Sequence, residues 1–464
     1  MMSSFFKRAI NASLLLSLFT VIQYLVSLVT QSLLAKKLTD ADFGESAIVV
    51  MVIMFFITIT SLSSDKYIYT TEKNILSEVV IIELVLAVIV ISIGFLSIES
   101  VFDFLNFEGF RPEFIGLLAL CFYMPLARVR AIHEKNIDFV KARTPYFLGQ
   151  LLAPIIALLS LNYGMGLYSI LIWKLSSLLI EVLILNVVYF NLYNEPNFKN
   201  FEFKSYFKFS LPLQGAMILV FVYSNVDYAI ISQLLSPAEL GGYWLAFQFT
   251  NQLLQGRKII ISIATPYISK IQDVRKIMGI THTCTALMIG IFSIPLFLFL
   301  LHGEWLITSI FGIEWVKYNH LFIIFSLVIM LRSTVTFLEP LCVRYKYTDL
   351  ILKATIISTV IVVMVGYTMT SKFGVYGMCL AVFSSVVISN IYSIQSLRKR
   401  GLDYSCGLIF IVLFIISIDI FIVSYAFDLF LVDSNLYSVL FTSVFYMVLL
   451  SLQFLIYLKS SKKI

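Results

Sequence analysis

Two stretches decide the fold: Leu38-Thr39-Asp40-Ala41-Asp42-Phe43-Gly44 and Leu235-Ser236-Pro237-Ala238-Glu239-Leu240-Gly241. They align without a gap at a separation of 197 residues, and each follows a long apolar run. Two more pairs keep the same order. Lys135-Asn136-Ile137-Asp138-Phe139 matches Lys346-Tyr347-Thr348-Asp349-Leu350 at 211 residues, and Tyr163-Gly164-Met165-Gly166 matches Phe373-Gly374-Val375-Tyr376-Gly377 at 210. One short match is weak, but three in register mark an internal duplication.

What is duplicated belongs in a bilayer. The 464 residues are 60% hydrophobic and 13% charged, with a mean hydropathy of +0.94, against roughly 25% charged residues in a soluble domain. The apolar residues fall in runs of about 20, the length that crosses a hydrocarbon core. Fourteen spans are expected, near 11–35, 44–62, 76–98, 113–132, 145–161, 167–190, 209–232, 242–264, 283–301, 319–338, 351–371, 374–395, 405–426 and 437–458, with twelve as the alternative count. The first run follows Lys7 and Arg8 but is longer than a signal-peptide core and is followed by Lys36-Lys37, so it reads as a spanning helix.

Six spans separate the copies, so both halves share one orientation. The fold class expected is therefore an all-α polytopic membrane protein with two parallel-repeat six-helix bundles, 1–208 and 209–400, and an appended helix pair over 401–464. Transporters of this plan place a substrate cavity at the interface of the halves and alternate its access. With the N-terminus in the cytosol, 26 of the 33 Lys and Arg fall on inner segments and five on outer ones (Lys36, Lys37, Arg111, Lys317, Lys372), leaving Lys174 and Arg332 inside helices. This asymmetry obeys the positive-inside rule, puts both termini in the cytoplasm and removes the nucleic-acid reading of the +6 net charge.

The longest loops, near 191–208, 265–282 and 302–318, are too short for a catalytic domain. No Walker-type phosphate loop is present, so no ATPase is expected in this chain. Cys121, Cys284, Cys342, Cys379 and Cys406 and the four scattered histidines show no metal-ligand spacing, and no cofactor or metal is expected.

The residues then become recognisable. The two Leu-to-Gly turns, Glu134-Lys135-Asn136-Ile137-Asp138-Phe139, Tyr163-Gly164-Met165-Gly166-Leu167-Tyr168-Ser169 and the helix-embedded Asn225-Val226-Asp227 resemble the Wzx-type polysaccharide repeat-unit flippases. That family belongs to a group that also holds multidrug exporters and the peptidoglycan-precursor flippase. The resemblance covers roughly residues 1–400. Where the family often carries a small-residue stretch after span 2, this chain has Ser61-Leu62-Ser63-Ser64-Asp65. The resemblance implies export of an undecaprenyl-pyrophosphate-linked oligosaccharide across a bacterial inner membrane. Its partners would be that lipid-linked substrate, membrane lipids and other polysaccharide assembly proteins.

Charges inside spanning helices are costly and face a bundle interior or a wet cavity. Lys174 and Arg332 are candidate cations for a pyrophosphate, a guanidinium being suited to bidentate contact; structural pairing is the alternative. Gln248, Asn251, Gln252 and Gln255 form an amide stripe on span 8 that leads to Arg257 and Lys258, and Gln23 and Gln214 occupy corresponding spans. These are the candidate cavity residues. Asp227, Glu83 and Glu181 are candidate coupling or structural acids. Arg128, Arg130, Lys135, Lys141 and Arg143 read as an inner topology anchor that also holds anionic lipid, and Pro125 as a kink. A small-molecule exporter on the same fold is the competing function, and it calls for an acidic cavity. A membrane-embedded polymerase would need a longer outer loop, and a channel a filter-like segment.

Overall fold

The computed structural model describes residues 2–107, 109, 111–136, 138–402, 404, 412, 415–416, 418 and 436–461; side chains are described from residue 18 onward, leaving out a few positions in 255–270, 343, 348, 436–437, 452 and 454–461. Most of expected span 13, Asp419 included, lies outside the described residues. The rest is helical, in two compact units, Met1–Gly241 and Gly242–Ile464.

In the first unit the helices are α1 (Met2–Ala35), α2 (Asp40–Thr60), α3 (Ser64–Thr70), α4 (Leu76–Phe104), α5 (Glu113–Gly116), a 3-10 segment (Leu117–Phe122), α6 (Tyr123–Leu126), α7 (Val129–Lys135), α8 (Phe139–Asn162), α9 (Tyr168–Val188) and α10 (Phe203–Leu234). Then comes α11 (Pro237–Lys270), whose first turn closes this unit. The second unit continues with α12 (Val274–Ile310), α13 (Asn319–Ser333), α14 (Leu338–Tyr345), α15 (Thr348–Phe373), α16 (Val375–Lys399) and α17 (Leu436–Ser461). Eleven stretches among the described residues are long and apolar enough to cross a membrane. Val85, Val88, Ile89 and Ile93 on α4, or Val360, Val363 and Met364 on α15, point outward. Such apolar faces fit a hydrocarbon solvent, and the chain is a polytopic membrane protein.

The repeated turns have a physical purpose. Each is a capping box, in which a hydroxyl and an acid three residues on satisfy the first amides of a helix. The Asp42 amide donates to Thr39 Oγ1 (3.2 Å) and the Thr39 amide to Asp42 Oδ2 (2.9 Å). Glu239 donates its amide to Ser236 Oγ (3.3 Å), and the Ser236 amide donates to Glu239 Oε2 (3.2 Å). The glycine that ends each motif serves a close crossing: a Cβ on Gly44 would overlap the Pro237 carbonyl, and one on Gly241 would overlap the Asp40 carbonyl. Each copy thus needs the other's glycine.

Two expectations need correcting. The stretches 265–282 and 302–318 are not loops: α11 runs to Lys270, α12 starts at Val274 with Asp273 as its cap, and α12 continues to Ile310. Hydropathy marks where a helix leaves the membrane, and a capped helix runs on beyond that point. Span 4 is likewise no single kinked helix. It is a short α-turn, a 3-10 segment and two further short helices with a turn at Ala127–Arg128. Its counterpart is also broken, between α13 and α14. The C-terminal α17 packs on α12 through Tyr446, which stacks on Phe297 (4.2 Å) and bonds Ser293 Oγ (2.9 Å), and through Thr442 against His302 (2.8 Å).

Replacing Gly44 or Gly241 by leucine should force the crossing apart and abolish monodisperse protein, whereas Thr39→Ala should cost only about 1 kcal/mol. Size-exclusion profiles after graded heating in detergent check both outcomes.

Candidate functional site

The break in span 2 lies at Ser61-Leu62-Ser63, with Ser63 in the left-handed region at φ 51°. A serine there costs about 1–2 kcal/mol, and a dense polar cluster offsets it. Glu83, fully buried on α4, accepts from the Leu62 amide (2.8 Å), Ser64 Oγ (2.6 Å) and Arg128 through both Nε (2.6 Å) and Nη2 (3.0 Å). Arg128 also donates from Nη2 to Ser61 Oγ (2.6 Å) and sits 3.4 Å from Asp65. From α10, the Tyr206 hydroxyl meets Ser64 Oγ at 2.5 Å. Gln214 accepts from Ser63 Oγ (3.2 Å) and donates to the Thr58 carbonyl (2.6 Å). The break is therefore clamped from three helices.

A second pair lies nearby in sequence. Glu181, also fully buried, accepts from Arg130 Nη1 and from the Tyr123 hydroxyl, each at 2.7 Å. Arg128 and Arg130 are thus not members of a surface anchor. Arg128 is only 6% exposed and neutralises an acid inside the bundle. Lys141 and Arg143 fit the surface reading better: both are exposed, Arg143 pairing with Glu134 (3.0 Å) and Lys141 with Asp138 (3.1 Å).

Carbonyls beside the broken fourth spans receive an asparagine in a repeated way, the Leu331 carbonyl accepting from the Thr334 amide (3.2 Å) as well. Asn186 on α9 donates to the Leu126 carbonyl (3.0 Å), and Asn390 on α16 donates to the Leu331 carbonyl (2.8 Å). Asn186 and Asn390 are 204 residues apart, and so are Arg128 and Arg332. In the second unit Tyr404, buried, adds a bond to the Thr334 carbonyl (2.7 Å), and Arg257 Nη1 donates to the Arg332 carbonyl (3.3 Å). Sequence reasoning did not reach Asn186, Asn390, Tyr206 or the acid-pairing of Arg128. The shared offset was the available signal.

Of the remaining candidates, Lys174 is half-buried and lies 3.9 Å from the Trp173 ring. Gln23 bonds the Tyr146 hydroxyl (3.2 Å), so Gln23 and Gln214 each engage a different partner within the first unit. Asp227 is buried on α10. In the second unit Gln248, Asn251 and Gln252 are half-buried along α11, with Arg257 and Arg332 half-buried next along. The side chains of Gln255 and Lys258 lie outside the described residues. Arg128 meets its acid on α4, the third span of its half; α12, the third span of the other half, has no Asp or Glu from Val274 to Gly303. Among the described residues no cluster of His, Cys, Asp and Glu could hold a metal.

Many long apolar helices with charges buried among them define a polytopic helical membrane protein. Residues 33–320 match the sequence profile described as polysaccharide biosynthesis protein, and the chain belongs to that family. No curated protein sequence matches. Among solved structures, the lipid II flippase MurJ in an inward closed conformation superposes with a TM-score of 0.73 at 15% identity, covering 95% of this chain and 98% of that one. An inward-facing multidrug resistance MATE family transporter of the MOP superfamily gives 0.60 at 13% identity, covering 84% and 96%. MATE in a bent conformation gives 0.54 at 13%, covering 84% and 95%. At these identities the likeness is one of fold.

Removing one member of a buried ion pair leaves an uncompensated charge, at a cost of about 3–5 kcal/mol. Arg128→Ala should therefore lower thermal stability sharply, and the double variant Glu83→Leu with Arg128→Met should recover most of the loss. Melting curves of the purified proteins decide; equal melting of Arg128→Ala and the parent would remove the clamp.

Proposed function

We propose that this protein is a non-enzymatic flippase of the bacterial inner membrane. It carries an undecaprenyl-pyrophosphate-linked oligosaccharide, a repeat unit of O-antigen, capsule or exopolysaccharide, from the inner to the outer leaflet by alternating access, with both termini cytoplasmic. The observation that carries this reading is the contrast between Arg128 and Arg332. The first arginine is bound to a buried carboxylate, while the second is drawn beside another arginine, Arg257, on the edge of an amide row. Arg257 bonds the Arg332 main-chain carbonyl, and the charges of Arg332 and Glu339 both act on it; an anion shared between the two guanidinium groups would offset their mutual repulsion further than Glu339 does. A pyrophosphate has the charge and the oxygen geometry for bidentate contacts, and Gln248, Asn251 and Gln252 supply donors and acceptors for sugar hydroxyls. Lys174 is the corresponding candidate cation in the first unit.

Family membership and a fold shared with the lipid II flippase support a lipid-linked cargo. The MATE structures share the fold too and favour a second reading, a small-molecule exporter. Cargo charge separates the two, since an arginine pair repels cationic drugs.

Arg257→Ala and Arg332→Ala should each lower export about tenfold or more, the scale of a lost charged hydrogen bond, and Lys174→Ala should lower it as well, all with normal membrane insertion. The deciding measurement is leaflet-resolved analysis of lipid-linked glycans after gene deletion. Accumulation on the cytosolic side is expected; unchanged glycans in the deletion strain would end the proposal, and normal surface polysaccharide in the point variants would remove those residues from the site.

A further inference from the structure

A groove of about 400 Å³ runs between the α5/3-10 segment and α9, lined by Gly116, Ala119, Tyr168, Ile172, Ser176 and Leu179 among others. Its origin is local. The chain is wound as a 3-10 helix from Leu117 to Phe122. Phe114, Leu117 and Leu120 line the groove there too, but Gly116 and Ala119 leave room among them: a Cβ on Gly116 would meet nothing within 4 Å. Ser176 spends its hydroxyl on the Ile172 carbonyl, which leaves the groove wall apolar. Below it, Leu179, Leu183 and Val187 follow on one face of α9, each more than half exposed, so the groove opens onto the lipid-facing side.

Both flanking spans begin at the same end, at Glu113 and Tyr168. From Tyr168 to Leu179 the groove extends roughly 16 Å at 1.5 Å per residue, close to one leaflet of a hydrocarbon core about 30 Å thick. At its mouth the charge is mixed. Arg111 donates to the Tyr168 hydroxyl (3.3 Å) and lies 5.3 Å from that ring, and the exposed Glu113 carboxylate stands two residues on. A purely anionic headgroup would meet Glu113, and a quaternary ammonium offers no N–H to it.

We propose that this groove seats one phosphatidylethanolamine molecule, with an acyl chain against Gly116 and Ala119, its phosphate on Arg111 and its primary ammonium on Glu113. The seat is separate from the proposed cargo path and does not depend on it.

The test is native mass spectrometry of the full-length protein in detergent, offered phosphatidylethanolamine, phosphatidylcholine and phosphatidylglycerol at equal concentration. The parent should retain phosphatidylethanolamine roughly threefold over phosphatidylcholine, the scale of a surface ion pair. Glu113→Gln should bring the two to parity, and Gly116→Leu should remove the retained lipid. Preferred retention of phosphatidylglycerol, or the same lipid profile in the parent and in Glu113→Gln, would overturn the proposal. Should Gly116→Leu not yield monodisperse protein, Glu113→Gln and Arg111→Gln, both at exposed positions, still decide it.

Discussion

A carbonyl released by a broken helix inside hydrocarbon has no water to bond, and leaving it bare costs several kcal/mol. That constraint governs how this chain is built, because the fourth span of each half is broken. Asn186 and Asn390 reach across from the sixth spans to the Leu126 and Leu331 carbonyls. At the end of span 2 Gln214 adds a bond to the Thr58 carbonyl, which also accepts the Ser61 amide (3.2 Å). Each break thus brings a polar side chain into the bundle. Irregular backbone at membrane depth is tolerated only in protein or beside a wet cavity, so these breaks also place the positions where polar chemistry is affordable.

The Glu83–Arg128 pair follows from the same logic. Burying a carboxylate is costly unless it is fully bonded, and Glu83 accepts four hydrogen bonds from three residues around the Ser63 bend. Such a pair adds little net stability compared with a packed apolar cluster, but losing one member is severe. Its effect is to fix geometry: α3, α4, the start of α7 and α10 are held in one register. A left-handed serine in that place would otherwise relax.

The fold was readable because hydropathy and the repeated turn both depend on local sequence. Thr39 with Asp42, and Ser236 with Glu239, carried the hydroxyl-x-x-acid pattern of a capping box, so even the reason for the repeat was present in the residues. The site was less legible. Arg128 falls at the inner end of expected span 4, where a linear reading takes it for a topology anchor; only the packing of α4 against the break reveals its acid. Gln214 and Gln23, which looked like facing cavity residues, are spent on Thr58, Ser63 and Tyr146. Side-chain partners are set by helix–helix contacts between distant parts of the chain, and composition within a span does not encode them.

Two copies of one plan that differ at single positions have different chemistry. Both retain the arginine beside the break and the asparagine that caps it, 204 residues apart in each case. The first half also retains an acid on its third span, and there the arginine is consumed as structure. The second half has only Thr, Met, Ile, Ser and other uncharged groups through the corresponding stretch of α12 after Lys276, with no acid before Glu304. An arginine kept without the acid of its twin must be supported by other contacts, here including a neighbouring cation's bond to its own carbonyl. One position in the shared plan thus serves as bundle structure in the first unit and stands half-buried beside a second arginine in the other.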